Sequence, residues 1–146
     1  MQSLPMDRES LAVLAEYGLG EARLSGCHLR RYEAGEAMAR QNEAMDALLF
    51  VRSGNAKVCI NARNGRHLII CYYISDGVLG DVELLTEAQA MDTVTALSQV
   101  DCVAVPMERN REVLLGCLPF VLRMGQEVSG KLKYSSHAHT VSALYT

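Results

Sequence analysis

LLFVRSGNAKVCINARNGRHLIICYYI, residues 48–74, decides the fold. Between Gly54 and Gly65, Ala56, Val58 and Ile60 alternate with Lys57, Cys59 and Asn61. A period of two places one set on a buried face and the other toward water, so this run is a strand. Asn64-Gly65 follows it, and both residues tolerate the positive φ that a tight hairpin requires. LIICYYI (68–74) is apolar at every position, which predicts a returning strand covered on both faces.

Outward from this hairpin the same grammar continues. Turn signals stand at Ala34-Gly35, Asn42-Glu43, Ser53-Gly54, Asn64-Gly65 and Asp76-Gly77. Spacings of about 8–12 residues suit an antiparallel sandwich or barrel. TVTALSQVDCVAVP (93–106) alternates again and ends at Pro106. Upstream, Leu11, Leu14 and Tyr17 predict a short helix over 9–18, with a second helical turn over 21–24. Downstream, ERNREVLLG (108–116) predicts a short helix, and Pro119 opens a longer one, where its missing N–H costs nothing. That helix carries Leu118, Val121, Leu122, Gly125, Val128 and Leu132 at helical spacing. Such a stripe is expected to form a dimer seam, the competing expectation being that it packs on its own β core. The chain therefore divides into a helical preamble (1–28), a β-roll (29–106) and a short helix plus a long dimerisation helix (107–146).

Composition narrows the function. The 146 residues are 49% hydrophobic and 21% charged, which excludes a disordered chain. No apolar run approaches a membrane span, and the first ten residues lack a secretory pattern, so a cytoplasmic protein without membrane contact is expected. Fourteen basic residues stand against 17 acidic ones, net −3, with no basic cluster to hold nucleic acid. The five cysteines, Cys27, Cys59, Cys71, Cys102 and Cys117, include no C-x-x-C pair and are expected to be reduced thiols. Cys27-His28 and His137-x-His139 do not make a metal site, because residues two apart on a helix diverge. No G-x-S-x-G, H-E-x-x-H or P-loop pattern occurs, and no enzymatic activity is expected.

The order of elements, with YEAGE (32–36), LLFVRSGNAKVCI (48–60) and GVLGDVELLTEAQAMDTVTAL (77–97), resembles the cyclic-nucleotide-binding-like sensor domain of Crp/Fnr-type transcription regulators, nearest to the YeiL type. The resemblance implies a mainly β, jelly-roll-like double-stranded β-helix with short N-terminal helices and a long C-terminal helix. It makes residues 77–97 similar to the family's phosphate-binding cassette. Gly80, Asp81, Val82, Glu83, Met91, Asp92 and Thr93 are then the candidate ligand-binding residues, with Ser135 and Ser136 on the long helix. Gly80 matches the cassette glycine, and Asp81 stands where the family has Glu. Glu83 is expected to be solvated.

The main departure is Met91, which stands where the phosphate-binding Arg belongs, followed by Asp92 in place of Ser or Thr. A cation is lost and a carboxylate gained. Losing one partner of a charged hydrogen bond costs about 2–5 kcal/mol, or two to three decades of affinity. A cyclic nucleotide is therefore not the expected ligand, and another small molecule or a relayed signal takes its place. The expected protein is the sensory and dimerisation part of a regulator. It would reach DNA only through a helix-turn-helix that this sequence does not contain. The alternative is a free-standing module that acts through protein contacts.

Overall fold

The structure is a computed structural model that describes residues 1–63 and 67–130. Two antiparallel sheets face each other, and helices cover one of them. Chain order is β1 (Gln2–Leu4), α1 (Arg8–Glu16), β2 (His28–Tyr32), β3 (Ala37–Ala39), β4 (Ala47–Ser53), β5 (Ala56–Arg63), β6 (His67–Ile74), β7 (Gly77–Leu79), α2 (Asp81–Thr86), β8 (Thr93–Ala96), β9 (Val100–Pro106) and α3 (Met107–Leu115). A further helix, α4, runs over 118–130. The sheet orders are β1-β2-β9-β4-β7 and β3-β8-β5-β6.

β4 and β9 are central, and their sequences show why. Both are apolar at nearly every position, so each can be buried on two faces. Ala47, Leu49 and Val51 of β4, with Val100, Cys102 and Ala104 of β9, face the roll interior beside Val58, Val94 and Leu79. Leu48, Phe50, Val103 and Val105 face the helices, where they meet Leu14, Tyr17, Leu114, Phe120 and Met124. The Tyr17 and Phe50 rings pack at a centroid distance of 4.9 Å.

The hairpin forms as the alternation requires: Ala56 and Val58 are buried, and β5 pairs with β6 over eight residue pairs. The outer face of β6 differs from the expectation. Ile69 is 63% and Tyr73 71% exposed. β6 is an edge strand of the sheet that carries no helices, so an all-apolar run marks two coverable faces, of which only one is covered here.

Four more expectations are corrected. The preamble opens with a strand, β1, paired with β2. Leu11 is exposed, and α1 is instead anchored by Asp7, whose Oδ1 accepts the Ser10 N–H at 2.8 Å and which also pairs with Arg52. Residues 21–24 make no helical turn; Asn110 holds this segment by accepting the Ser25 N–H and donating to the Ser25 carbonyl. Residues 93–106 form two strands, one in each sheet, because the chain crosses between sheets at 97–99.

The thiol expectation also fails in part. Cys59 and Cys71, opposite each other in the β5–β6 register, form a disulfide. Cys27, Cys102 and Cys117 are free. Among the described residues no helix is long and apolar enough to cross a membrane, and no group of three metal-ligating side chains occurs.

Gly54 turns β4 into β5 with φ +98°, and a Cβ there would collide with the Gln99 carbonyl. Replacing Gly54 with Ala therefore adds left-handed backbone strain and a steric clash. Thermal unfolding should show a loss of about 2–3 kcal/mol, or several degrees in Tm.

Candidate functional site

β7 delivers the chain to Gly80, which takes φ +97° and caps α2. A Cβ there would meet the Met107 side chain at 3.0 Å and the Ala47 carbonyl at 3.4 Å, so the short helix starts tight against β4. Leu84 N–H donates to the Gly80 carbonyl at 2.9 Å, and the Arg111 guanidinium donates to the Leu84 carbonyl at 2.7 Å. The helix is thus held at both ends.

The segment after α2 is tied to the β3–β4 turn. Asn42, in the left-handed region at φ 69°, donates its N–H to the Ala90 carbonyl at 2.8 Å. The Ala90 N–H returns to the Glu43 carbonyl at 2.9 Å. Thr93 Oγ1 accepts the Gln41 N–H at 3.1 Å. These bonds fix the positions of Met91, Asp92 and Thr93.

The expected cassette residues are brought together, and their roles come out differently. Asp81 and Glu83 are both buried, so Glu83 is not the solvated acid that was expected. Residues 81 and 83 point to different sides of α2, but body and loop enclose both sides, leaving Leu85 and Thr86 to solvent. Glu83 Oε1 accepts the Met91 N–H at 3.4 Å. Met91 itself is 54% exposed and offers no charge to the site. Val82 is half-buried, as are Asp92 and Thr93. Ser135 and Ser136, the candidate ligand-binding residues of the long helix, and Leu132 lie outside the described residues.

Sequence reasoning missed an arginine at the end of the roll. Arg30 and Tyr32 share the face of β2 that is opposite Cys102 and Val100. Arg30 is buried and donates to both Asp46 oxygens, at 3.1 and 3.3 Å, and to the Tyr32 hydroxyl at 3.3 Å. The guanidinium holds the Asp46 carboxyl below its usual range. Its charge is therefore already matched. The signal for it was strand parity: Arg30 shares a face with Tyr32.

A cavity of about 350 Å³ opens between the roll and α4. Val58, Tyr72, Ile74 and Leu79 line one side, and Gln126, Glu127 and Gly130 the other. That size falls in the range of small-molecule sites. The helix stripe divides between two faces. Phe120 and Met124, which the dimer reading did not single out, are fully buried against the body, with Val121 packed beside them. Leu118 and Leu122, 66% and 61% exposed, lie on the outer face with Gly125, while Val128 is half-buried.

The cyclic nucleotide-binding domain family matches residues 29–116. The chain belongs to that family. Its relatives include the regulatory protein YeiL of Escherichia coli O157:H7, 23% identical over 70% of this chain and 47% of that protein. They also include the neuropathy target esterase sws of Drosophila grimshawi, 32% identical over 51% of this chain but only 5% of that one. The chain thus spans less than half the length of these relatives. Two solved structures show the same fold. The catabolite activator protein of Thermus thermophilus aligns at TM-score 0.65 and 14% identity over 94% of this chain and 61% of its own. The sensor domain of the regulator DNR from Pseudomonas aeruginosa aligns at 0.59 and 17% identity over 89% and 87%.

In this cyclic nucleotide-binding domain the buried Glu83 carboxylate accepts the Met91 N–H. Replacing Glu83 with Ala removes the acceptor from the Met91 N–H. Hydrogen exchange at that amide should accelerate about tenfold, while amides of β4 and β9 stay unchanged, since a hydrogen bond to a charged group contributes about 1.5–3 kcal/mol. Unchanged exchange at Met91 would mean that the carboxylate does not hold the loop.

Proposed function

We propose that this chain is the sensory and dimerisation domain of a Crp/Fnr-type transcription regulator that answers to a signal other than a cyclic nucleotide. The carrying observation is the cassette-like segment: its Met91 amide donates to the Glu83 carboxylate, and residues 80–105 contain no arginine. A cyclic phosphate needs donors and a cation at this place. Here the buried Glu83 carboxylate takes the Met91 amide and would repel an anion, while Asp81 keeps an acceptor where the family has Glu. Thr93 and Asp92 follow Met91 without restoring the charge.

The signal then enters through the cavity against α4. Its walls of Val58, Tyr72, Ile74 and Leu79 suit a small, mostly apolar molecule, with Gln126 and Glu127 to orient it. Occupancy shifts the roll relative to α4, provided the ligand prefers one of the two arrangements. α4 passes the shift to a second copy through its outer face, where Leu118, Leu122 and Gly125 meet their counterparts. The inner face stays on the body through Phe120 and Met124. In this reading specific DNA contact belongs to a helix-turn-helix outside residues 1–146, and no catalytic step is assigned to the chain.

Sedimentation velocity tests the reading. The wild-type chain should sediment as a dimer at micromolar concentration. Leu118→Glu with Leu122→Glu puts four charges into the seam of the two copies and should yield a folded monomer with an unchanged circular dichroism spectrum, because both side chains are exposed in one copy. A wild-type monomer would contradict it.

A further inference from the structure

Among the described residues the one disulfide joins Cys59 and Cys71. They are direct partners in the β5–β6 register, with Cα atoms 4.2 Å apart, the close-spaced kind of antiparallel pair. The sulfurs can meet without moving either strand. Both side chains lie on the outer face of the hairpin, with Ile69 and Tyr73, so that Cys71 is exposed and Cys59 half-exposed. The free thiols differ. Cys102 is fully buried, and burial pushes its thiol up to about 12. Burial also raises Cys27. A reactive thiol needs access and thiolate character, which the buried Cys102 lacks.

We propose that Cys59 and Cys71 form a reversible dithiol–disulfide site that sets the stiffness of the β5–β6 hairpin. The oxidant is a low-molecular-weight disulfide of the glutathione class. The Cys71 thiolate, the more exposed of the two, attacks one sulfur of that disulfide and releases one thiol as a mixed disulfide forms. The Cys59 thiolate then attacks the Cys71 sulfur and releases the second thiol. Two protein thiols lose two electrons and two protons, and one small disulfide gains both. Reduction runs the same exchange backward. Exposed disulfides are the labile ones, whereas buried structural ones resist the glutathione pool.

The placement gives the exchange a consequence. Among the described residues β6 is an edge strand with β5 as its sole sheet neighbour. In the reduced form β6 is held there by backbone hydrogen bonds and packing alone. Val58 of β5 and Tyr72 and Ile74 of β6, on the opposite face from the sulfurs, line the cavity against α4. Oxidation therefore stiffens one wall of that cavity. This last consequence rests on the sensory reading above; the redox site does not.

The test equilibrates the full chain in glutathione buffers from fully reduced to fully oxidised, quenches it by alkylation and maps the thiols by mass. Hydrogen exchange is read on both end states. Cys59 and Cys71 should convert together within the buffer range, while Cys102 stays a thiol throughout. Deuterium uptake over 56–63 and 67–74 should rise at least about threefold on reduction, with β4 and β9 unchanged. The Cys59→Ser and Cys71→Ser variants should match the reduced exchange pattern in every buffer. A pair that never oxidises, never reduces, or leaves the hairpin's exchange unchanged would overturn the proposal. A monomer with a converting pair would remove the dimer reading and keep the redox site; a dimer with an inert pair would do the reverse.

Discussion

The pairing of β4 with β9 is the constraint on which the other parts depend. It runs from Ala47↔Pro106 to Ser53↔Asp101, between two strands that are apolar on both faces. Leu48 and Phe50 are fully buried toward the helices, while Leu49 and Val100 are buried in the roll. One strand pair thus belongs to both hydrophobic cores. Burying a large apolar side chain contributes about 1.5–3 kcal/mol, and these two strands hold most of the largest fully buried ones outside the helices. β7 hangs on β4, and α2 follows β7 without a loop. The cassette is therefore positioned by the core and not by its own contacts alone.

From that frame the chemistry of the site follows by charge. The β3–β4 turn clamps the backbone at Ala90, so the Met91 N–H has a fixed direction. Some acceptor must face it. In a site made for a cyclic phosphate the acceptor would arrive with the ligand; here Glu83 supplies one from within the chain. Under the proposed reading the fold is kept while the polarity of the site is reversed. The cavity against α4 is walled by β7, by Val58 of β5 and by Tyr72 and Ile74 of the β6 strand that Cys59 and Cys71 bridge to β5, and the proposed input acts there.

Much of the fold was legible because alternation and glycine position are local signals. The turn at Gly54 and the strand from Ala56 appear where those signals place them, and the helix read over 108–116 spans Met107–Leu115. The outer face of β6 was not legible. An apolar run states what could be buried, not whether another layer exists to bury it, and the helices cover only the other sheet. The disulfide was hidden by register. A two-residue Asn64-Gly65 turn would pair Cys59 with Ile70, whereas the observed pairing of Arg63 with His67 brings Cys59 opposite Cys71. Glu83 was misplaced for a related reason. Alternation on a six-residue helix gives no warning that both of its sides are enclosed.

The most direct measurement is a calorimetric titration of cAMP into the wild-type chain and into a variant carrying Glu83→Gly with Met91→Arg. The account predicts no saturable binding to wild type up to about millimolar ligand. The variant, relieved of the carboxylate and given the missing cation, should bind about 1.5–3.5 decades more tightly, as a restored charged partner of about 2–5 kcal/mol requires. Micromolar binding to the wild-type chain would contradict it.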